Sequence, residues 1–417
     1  MSKPSLNPLP HRIFCAQLGA RDHYAFPRAF HKAGLLETLV TDFWSANLVV
    51  PSILQPKRIR GRYHKDLDKA EVRDSSVRTL AKELEFRLRG IRGWARTLSR
   101  NSYFQTMALE RIPWDRFRGA GASDAEQPVL FAYSYAALGL LSRAKSLGWT
   151  TILGQIDPGP VETEVVAAEA NRWPDFGPAR SKAPTEYWEN WRKEIALADF
   201  IIVNSAWSKS SLLKTGVPEE KLHVIPIPFE EAKVSGFPPK SYPDLFNLGR
   251  PLRVLYLGQI NHRKGVPALL AALDTLAGLP IELWMVGSEE LNIPRHYREN
   301  PRIRWFGNVR RSAVDEFYQR ADVFLFPTHS DGFGLTQLEA QARKLPVIAS
   351  RSCGRVVVDG KNGILLESAT PVAIANALTY CCKHPQQLVA WSQASGVDAA
   401  FSLSSASASV LAMLAGK

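Results

Sequence analysis

The sequence predicts an α/β protein of two doubly wound domains facing each other across a cleft. Three observations carry that prediction. Short apolar runs alternate with amphipathic segments along both halves, the pattern of parallel strands joined by crossover helices. A proline- and glycine-dense stretch without apolar periodicity separates the halves. The length, 417 residues, is enough for two cores of ordinary size.

In the first half the strand-like runs are RIFCAQ (12–17), VLFAY (129–133), TTILGQ (150–155), FIIVN (200–204) and LHVIPI (222–227). They assign residues 1–232 to one domain. The stretch from Lys233 to Pro251, KVSGFPPKSYPDLFNLGRP, reads as a linker (233–251). After it the rhythm tightens to RVLYLG, IELWMVG, IRWFGN, VFLFPT, PVIAS and GILLE, with helix-like segments such as VPALLAALDTLAG between them, which places the second domain at 252–395. In open parallel sheets ligands sit at the carboxyl ends of strands, so functional residues are expected just after these runs.

Composition narrows the classes. Hydrophobic residues are 45% and charged residues 22%, both ordinary for a globular protein. No window approaches the roughly 18 apolar residues of a membrane helix, and the N-terminal MSKPSLNPLPHR lacks an apolar signal core, so a cytoplasmic location is expected. Cys15, Cys353, Cys381 and Cys382 show no metal-ligand spacing and are expected to be reduced. The net charge of +12 is concentrated between Lys57 and Arg118, which hold 17 Lys or Arg against 8 Asp or Glu. Within that stretch, residues 76–100 place Leu80, Leu84, Leu88, Ile91, Ala95 and Leu98 at helical spacing with cations between them. Such a helix suits peripheral contact with an anionic membrane face, or packing on its own domain.

Two turns carry the chemistry. In DGFGLTQLEAQARKLPVIAS (331–350), Gly332 and Gly334 let backbone approach a ligand closely, and the amides of Leu335 and Thr336, opening a helix, suit a phosphate oxygen. Glu339, one turn further on, is within reach of a ribose, with Asp331 on the other side. Thr336 and Glu339 also have capping-box spacing, which by itself would account for the glutamate. The second turn, GQINHRKG (258–265), brings Arg263 and Lys264 to the end of another strand. Cations at a helix start oppose the helix dipole, and their presence there suits a diphosphate instead.

These residues, together with LYLGQINHRKGV, IRWFGNV, ADVFLFPTHSDGFG and VVVDGKNGILLE, resemble the family 4 (group 1) retaining glycosyltransferases of the GT-B fold, whose two domains are Rossmann-like. FIIVNSAWSKSSLLKTGVPEEKLHVIPIPFE is similar to that family's interdomain segment. The resemblance implies a nucleotide-diphosphate sugar as donor, with neither metal nor other cofactor. Glu339 would hold the ribose, Asp331 the donor sugar, and Lys264, Leu335 and Thr336 the diphosphate. The backbone near Asn308 and Val309 would meet the base. Gln259, Gly332, Phe333 and Gly334 complete the implied donor site. A helix within 396–417 would cross back to the first domain. Two departures stand out: Asp331 where the family usually has glutamate, and Gln259 where it usually has arginine. Arg263 is the residue available to compensate for the second.

The first domain is expected to bind the acceptor, a glycan or glycolipid hydroxyl. Gly19, Arg21 and His23 follow its first strand, and Gln155 and Asp157, with Glu162 beyond them, follow its third. An unperturbed histidine is poised near neutral pH, but a binding or structural role is expected for His23 ahead of a general base. Trp188 and Trp191, three residues apart, suit core packing more than sugar stacking. Three other classes compete: a GT-B nucleotide-sugar isomerase or epimerase, a non-catalytic sugar-nucleotide-binding partner, and a nucleic-acid binder. The last is disfavoured because both phosphate-binding turns lie outside the basic stretch.

Overall fold

The computed structural model describes residues 11–47, 61–116, 127–179, 181–230 and 237–416. The first domain opens with β1 (His11–Gln17), α1 (Ala25–Lys32), β2 (Leu36–Thr41) and β3 (Val72–Asp74). It continues with α2 (Ser76–Leu88), α3 (Gly93–Arg111), β4 (Gln127–Tyr133), α4 (Leu138–Ser146), β5 (Thr150–Gln155) and α5 (Pro160–Arg172). The elements α6 (Thr185–Leu197), β6 (Phe200–Val203), α7 (Ala206–Lys214) and β7 (Leu222–Val224) complete it. Its strands pair in parallel in the order β3-β2-β1-β4-β5-β6-β7, so the strand order reverses between β1 and β4.

The second sheet is built from β8 (Leu252–Leu257), β9 (Ile281–Val286), β10 (Ile303–Gly307), β11 (Val323–Phe326), β12 (Val347–Ser350) and β13 (Gly363–Leu366). Its helices are α8 (Val266–Thr275), α9 (Arg295–Arg298), α10 (Arg311–Arg320), α11 (Leu335–Ala342), α12 (Pro371–Lys383) and α13 (Pro385–Ala394). The order is β10-β9-β8-β11-β12-β13, again parallel, with its reversal between β8 and β11. The two turns singled out in the sequence leave those two strands, and they therefore flank the point where a doubly wound sheet opens a crevice.

The core of each domain follows the strand pattern. Leu252, Val254, Leu283, Met285, Val323 and Leu325 pack on α8 and α12 on one face of the second sheet. Leu255, Trp284, Phe324, Phe326 and Val347 form the other face. Of the expected linker, Tyr242 and Phe246 pack on this second core. The last helix, α14 (Leu403–Ala415), places Leu403, Ala406, Val410 and Leu414 in a first-domain cluster with Phe26, Phe30 and Leu39.

The run 76–100 does not form the single amphipathic helix expected from its spacing. It breaks into α2 and α3 at Gly90 and Gly93, both in the left-handed region at φ 62° and 57°, a conformation that other residues adopt only at a cost. α3 turns inward and buries Phe104, Met107 and Ala108. α2 stays on the surface, with Val77, Leu80, Leu84 and Leu88 exposed by 76%, 44%, 56% and 79%.

One buried carboxylate organises the first domain. Glu194 on α6, 1% exposed, accepts hydrogen bonds from the amides of Tyr135 (2.7 Å), Ala137 (2.8 Å) and Leu138 (3.1 Å). These amides open α4 and have no intrahelical acceptor, so a side chain from a distant helix supplies the cap.

Candidate functional site

Hydrogen bonds stitch the β8 and β11 turns together. The His329 amide donates to the Arg263 carbonyl (2.9 Å), and the Thr328 hydroxyl donates to the same oxygen (3.1 Å). Gly265, at φ 71°, lets the chain pass so close that a Cβ there would lie 1.9 Å from the Pro327 carbonyl oxygen. The consequence is a fixed cluster: Lys264 Nζ pairs with Asp331 Oδ2, Arg263 lies 3.2 Å from the same oxygen, and Lys264 sits over the Phe326 ring at 4.5 Å. Asp331 is buried, which alone would raise its pKa, but Lys264 and Arg263 hold the carboxyl below the usual carboxylate range. Its other oxygen accepts from the Phe333 amide (3.0 Å). The two cations expected to meet a diphosphate thus share a carboxylate oxygen of Asp331.

α11 starts at Leu335, with Gly334 as its N-cap in the left-handed region at φ 87°. The capping-box reading of Glu339 therefore does not hold, because Thr336 lies inside the helix. Glu339 instead accepts from the Tyr318 hydroxyl (2.8 Å) and stays partly exposed, leaving carboxylate capacity for a ligand. Gln259 and Asn308 are exposed at the carboxyl end of the same sheet, after β8 and β10, and Val309 is partly buried against the core. Phe333 departs from expectation. It is 2% exposed, packs on Phe401 at 5.8 Å, and spends its amide on Asp331, so it supports the turn and offers a ligand nothing.

The first domain closes against this cluster. Gly332 approaches β5's following loop so nearly that a Cβ would meet the Ile156 carbonyl oxygen at 2.4 Å. Ser330 donates to Glu162 Oε2 (3.0 Å), which lies 3.7 Å from Arg263, and Trp207 on α7 donates to Ser330 (3.2 Å). Burial pushes the Glu162 pKa up to about 7 against the opposing pull of Arg263, with Asp157 and Asp331 adding repulsion. Sequence reasoning reached Glu162 only as the farthest member of its turn. Ser330, Tyr318 and Arg311 gave no signal, since each is recognisable only by what the fold brings opposite it.

On the acceptor side the expected residues divide. Gln155 is 1% exposed and fully engaged: Trp191 donates to its carbonyl (3.0 Å) and its amide donates to Tyr135 and Asp157. It is a buried strut, not a ligand contact. Asp157 accepts from Tyr135 (2.5 Å) and from the Gly159 amide (2.9 Å), the turn-forming geometry its position before proline suggested, yet it also borders open space. Gly19 is likewise committed, its amide to Asp42 (2.8 Å) and its carbonyl to Gln17 (3.0 Å). Arg21 lies over the Tyr133 ring at 5.4 Å.

Beyond it, Asp22, His23 and Tyr24 hold three consecutive left-handed conformations at φ 47°, 53° and 59°. Strain of about 1–2 kcal/mol per residue is kept where surrounding structure enforces it. Here it aims His23 across the cleft, where Arg311 of the second domain donates to its ring. Desolvation beside the cleft and the charge of Arg311 push the His23 pKa down to about 4, although the side chain keeps its access to solvent, and the shift favours the neutral ring.

A cavity of about 1080 Å³ opens between the domains beside Arg263. Glu162, Asp157 and Gln259 edge it on the cluster side, and Trp94, Tyr187 and Trp188 form an aromatic wall. Trp191 is core, as its spacing suggested, whereas Trp188 lines this cavity. Trp94 belongs to α3, immediately after the break from the exposed α2. Among the described residues no cluster of three or more His, Cys, Asp or Glu side chains is placed to hold a metal ion.

The comparisons with known proteins agree with this geometry. The family Glycosyl transferases group 1 matches residues 251–384. CapM, a capsular polysaccharide biosynthesis glycosyltransferase of Staphylococcus aureus, is 32% identical over 133 residues, covering 30% of this chain and 34% of the relative. A D-inositol 3-phosphate glycosyltransferase of Corynebacterium urealyticum is 30% identical over 171 residues, 35% and 39% of the two chains. The chain thus spans between about a third and two fifths of these two relatives' lengths. Sucrose-phosphate synthase from Thermosynechococcus elongatus superposes over 97% of this chain and 98% of its own with a TM-score of 0.60 at 16% identity. HepE of Anabaena, crystallised with UDP, superposes over 98% and 100% with a TM-score of 0.58 at 13% identity. The architecture is GT-B, and residues 251–384 carry the group 1 glycosyl transferase pattern on its second domain.

Proposed function

We propose that the protein transfers a sugar, with retention of anomeric configuration, from a nucleoside-diphosphate sugar to a hydroxyl of a glycan or glycolipid acceptor. The observation that carries the reading is the convergence of Lys264, Arg263, Asp331 and the opening amides of α11 at the strand reversal of the second sheet, with Glu339 one turn away. The diphosphate would rest on the Leu335 and Thr336 amides and draw Lys264 and Arg263 from their shared carboxylate. Glu339 would take the ribose hydroxyls, the chain at Asn308 and Val309 the base, and Asp331 the transferred sugar. The bond from the sugar to phosphate breaks as the bond to the acceptor oxygen forms on the same face. The departing phosphate takes the acceptor proton, its charge met by fixed cations and amides. CapM, named for capsular polysaccharide biosynthesis, and HepE, crystallised with UDP, support a glycan setting and this donor class.

Nucleotide release from UDP-glucose and other nucleotide sugars, with and without acceptor glycans, tests the reading. Glu339→Ala is expected to lower turnover by about a hundredfold, the effect of losing two hydrogen bonds to a charged group. Unchanged turnover in this variant would sink the assignment. A rearranged sugar released without acceptor would identify an isomerase, and tight binding without turnover a binding partner.

The acceptor reading extends to a membrane face. α2 presents its exposed leucines beside Arg87, Arg89 and Arg92, and α3 carries Trp94 into the cavity, so a lipid-borne acceptor has a short path from surface to site. No helix among the described residues is long and apolar enough to cross a membrane. Co-sedimentation with phosphatidylglycerol vesicles is expected to drop several-fold in Leu84→Glu/Leu88→Glu, since each buried methylene lost is worth about 0.8 kcal/mol and the new carboxylates are repelled by the anionic surface. Equal sedimentation of this variant and the parent would rule the face out.

A further inference from the structure

A second cavity, of about 370 Å³, lies at the opposite end of the second sheet from the cleft. Arg253 lines it from the start of β8, and the strand runs about 13 Å from there to Leu257 before the turn that carries Lys264. Lys240, Arg250, Arg320 and Arg343 also line it, and its one carboxylate is Asp322.

That carboxylate is already spent. Arg250 grips it with two bonds of 2.7 and 2.6 Å, and the Arg253 amide donates to it at 2.8 Å. Arg320 pairs with Glu316 and Arg343 with Asp315, both outside the cavity wall. Among the described residues, neither Lys240 nor Arg253 makes an ion pair at contact distance, although Asp322 attracts Lys240 from across the cavity. Arg253 lies over the Trp284 ring at 5.9 Å, and Lys240 donates to the Gln319 carbonyl at 2.6 Å. Two half-buried cations are therefore held beside a third whose charge is already balanced, a surplus of positive charge that favours an anion. The wall opposite is Phe237, Pro238 and Pro239, which offers apolar surface but no charge.

We infer that this cavity is a binding site for a phosphate monoester, held by Lys240 and Arg253 with the apolar wall against its carbon part. Guanidinium and ammonium groups in one pocket match a tetrahedral dianion, and none of the residues of the proposed transfer site takes part. Lys240 is anchored by its own amide to Ser392 (2.7 Å), and Tyr242, two residues on, donates to the Asp322 carbonyl (3.0 Å). A bound anion would thus fasten the segment after residue 236 to the corner between α10 and β11.

The lysines report the site directly. Burial pushes the Lys240 pKa down to about 8, against the pull of Asp322 and with that of Arg250, so this amine is reactive in mildly alkaline solution. The full chain is acetylated with an amine-reactive ester at pH 8, alone or with inorganic phosphate or ribose 5-phosphate, and modification is read at Lys240 and Lys264 by peptide mass spectrometry. At about ten times the Kd, occupancy near nine-tenths lowers Lys240 modification about tenfold. Protection by ribose 5-phosphate at lower concentration than by phosphate identifies a phosphorylated metabolite, and equal protection identifies phosphate itself. In Arg253→Gln the protection of Lys240 is expected to disappear while its basal modification persists. The proposal is overturned if Lys240 is modified equally with and without both ligands, if only Lys264 is protected, or if Arg253→Gln leaves the protection intact.

Discussion

Lys264→Ala is expected to abolish most transfer, lowering kcat/KM by about a thousandfold, because it removes a fixed cation from the developing diphosphate charge. The same change strands Asp331, which is buried and shares its oxygen between Lys264 and Arg263. Breaking a buried pair costs about 3–5 kcal/mol, and Arg263 at 3.2 Å offsets part of that, so a loss at the lower end is expected in thermal unfolding. Adding Asp331→Ala separates the two effects. The double variant should recover stability while remaining inactive, since the stranded charge is gone but the diphosphate site is still short of a cation. Recovery of activity in the double variant would show that Lys264 serves only to neutralise Asp331. A single variant within fivefold of the parent would remove Lys264 from the reaction altogether.

Gly332→Ala is expected to lower kcat/KM by about a hundredfold with each domain still folded, the effect of moving reacting groups apart by about an ångström. The added methyl group would fall 2.4 Å from the Ile156 carbonyl oxygen, and backbone on both sides of the cleft has to give. Close to Gly332 the cross-domain contacts are polar and adjustable, Ser208 to its carbonyl at 3.4 Å, Ser330 to Glu162 and Trp207 to Ser330, whereas Phe176 stacked on Tyr297 at 5.9 Å holds the domains together further along the cleft. Donor affinity is expected to change less than turnover, since the diphosphate residues all belong to the second domain. Small-angle scattering should report a larger radius for the variant. Parental kinetics with an unchanged radius would mean that the turn and the Ile156 loop need not touch during turnover.

The alternation of apolar runs and helices exposed the fold because parallel strands buried on both faces leave nearly continuous apolar segments. The cleft motifs were equally plain in the second domain, where glycines and charges follow strands at short range. Residues whose role depends on a distant partner were not. Gln155 reads as a turn residue until Trp191, 36 positions later, is seen to occupy it. Glu339 reads as a cap until Gly334 takes that place and Tyr318 comes to its carboxylate. The helix over 76–100 failed for the opposite reason: its spacing was sound over α2, but two left-handed glycines outweighed periodicity at residues 90–93.

The Glu194 contacts bear on how the chain is made. The amides that open α4 leave the ribosome before the carboxylate that satisfies them, which lies 56–59 residues later. At elongation speeds of about 5–20 residues per second, α4 waits on the order of three to twelve seconds with its first turn uncapped. Over that interval β4 gains both of its neighbours, β1 and β5, while the start of α4 still lacks its partner. Synthesis of this domain thus contains a stretch in which a holding chaperone has something to hold, and it ends when α6 emerges.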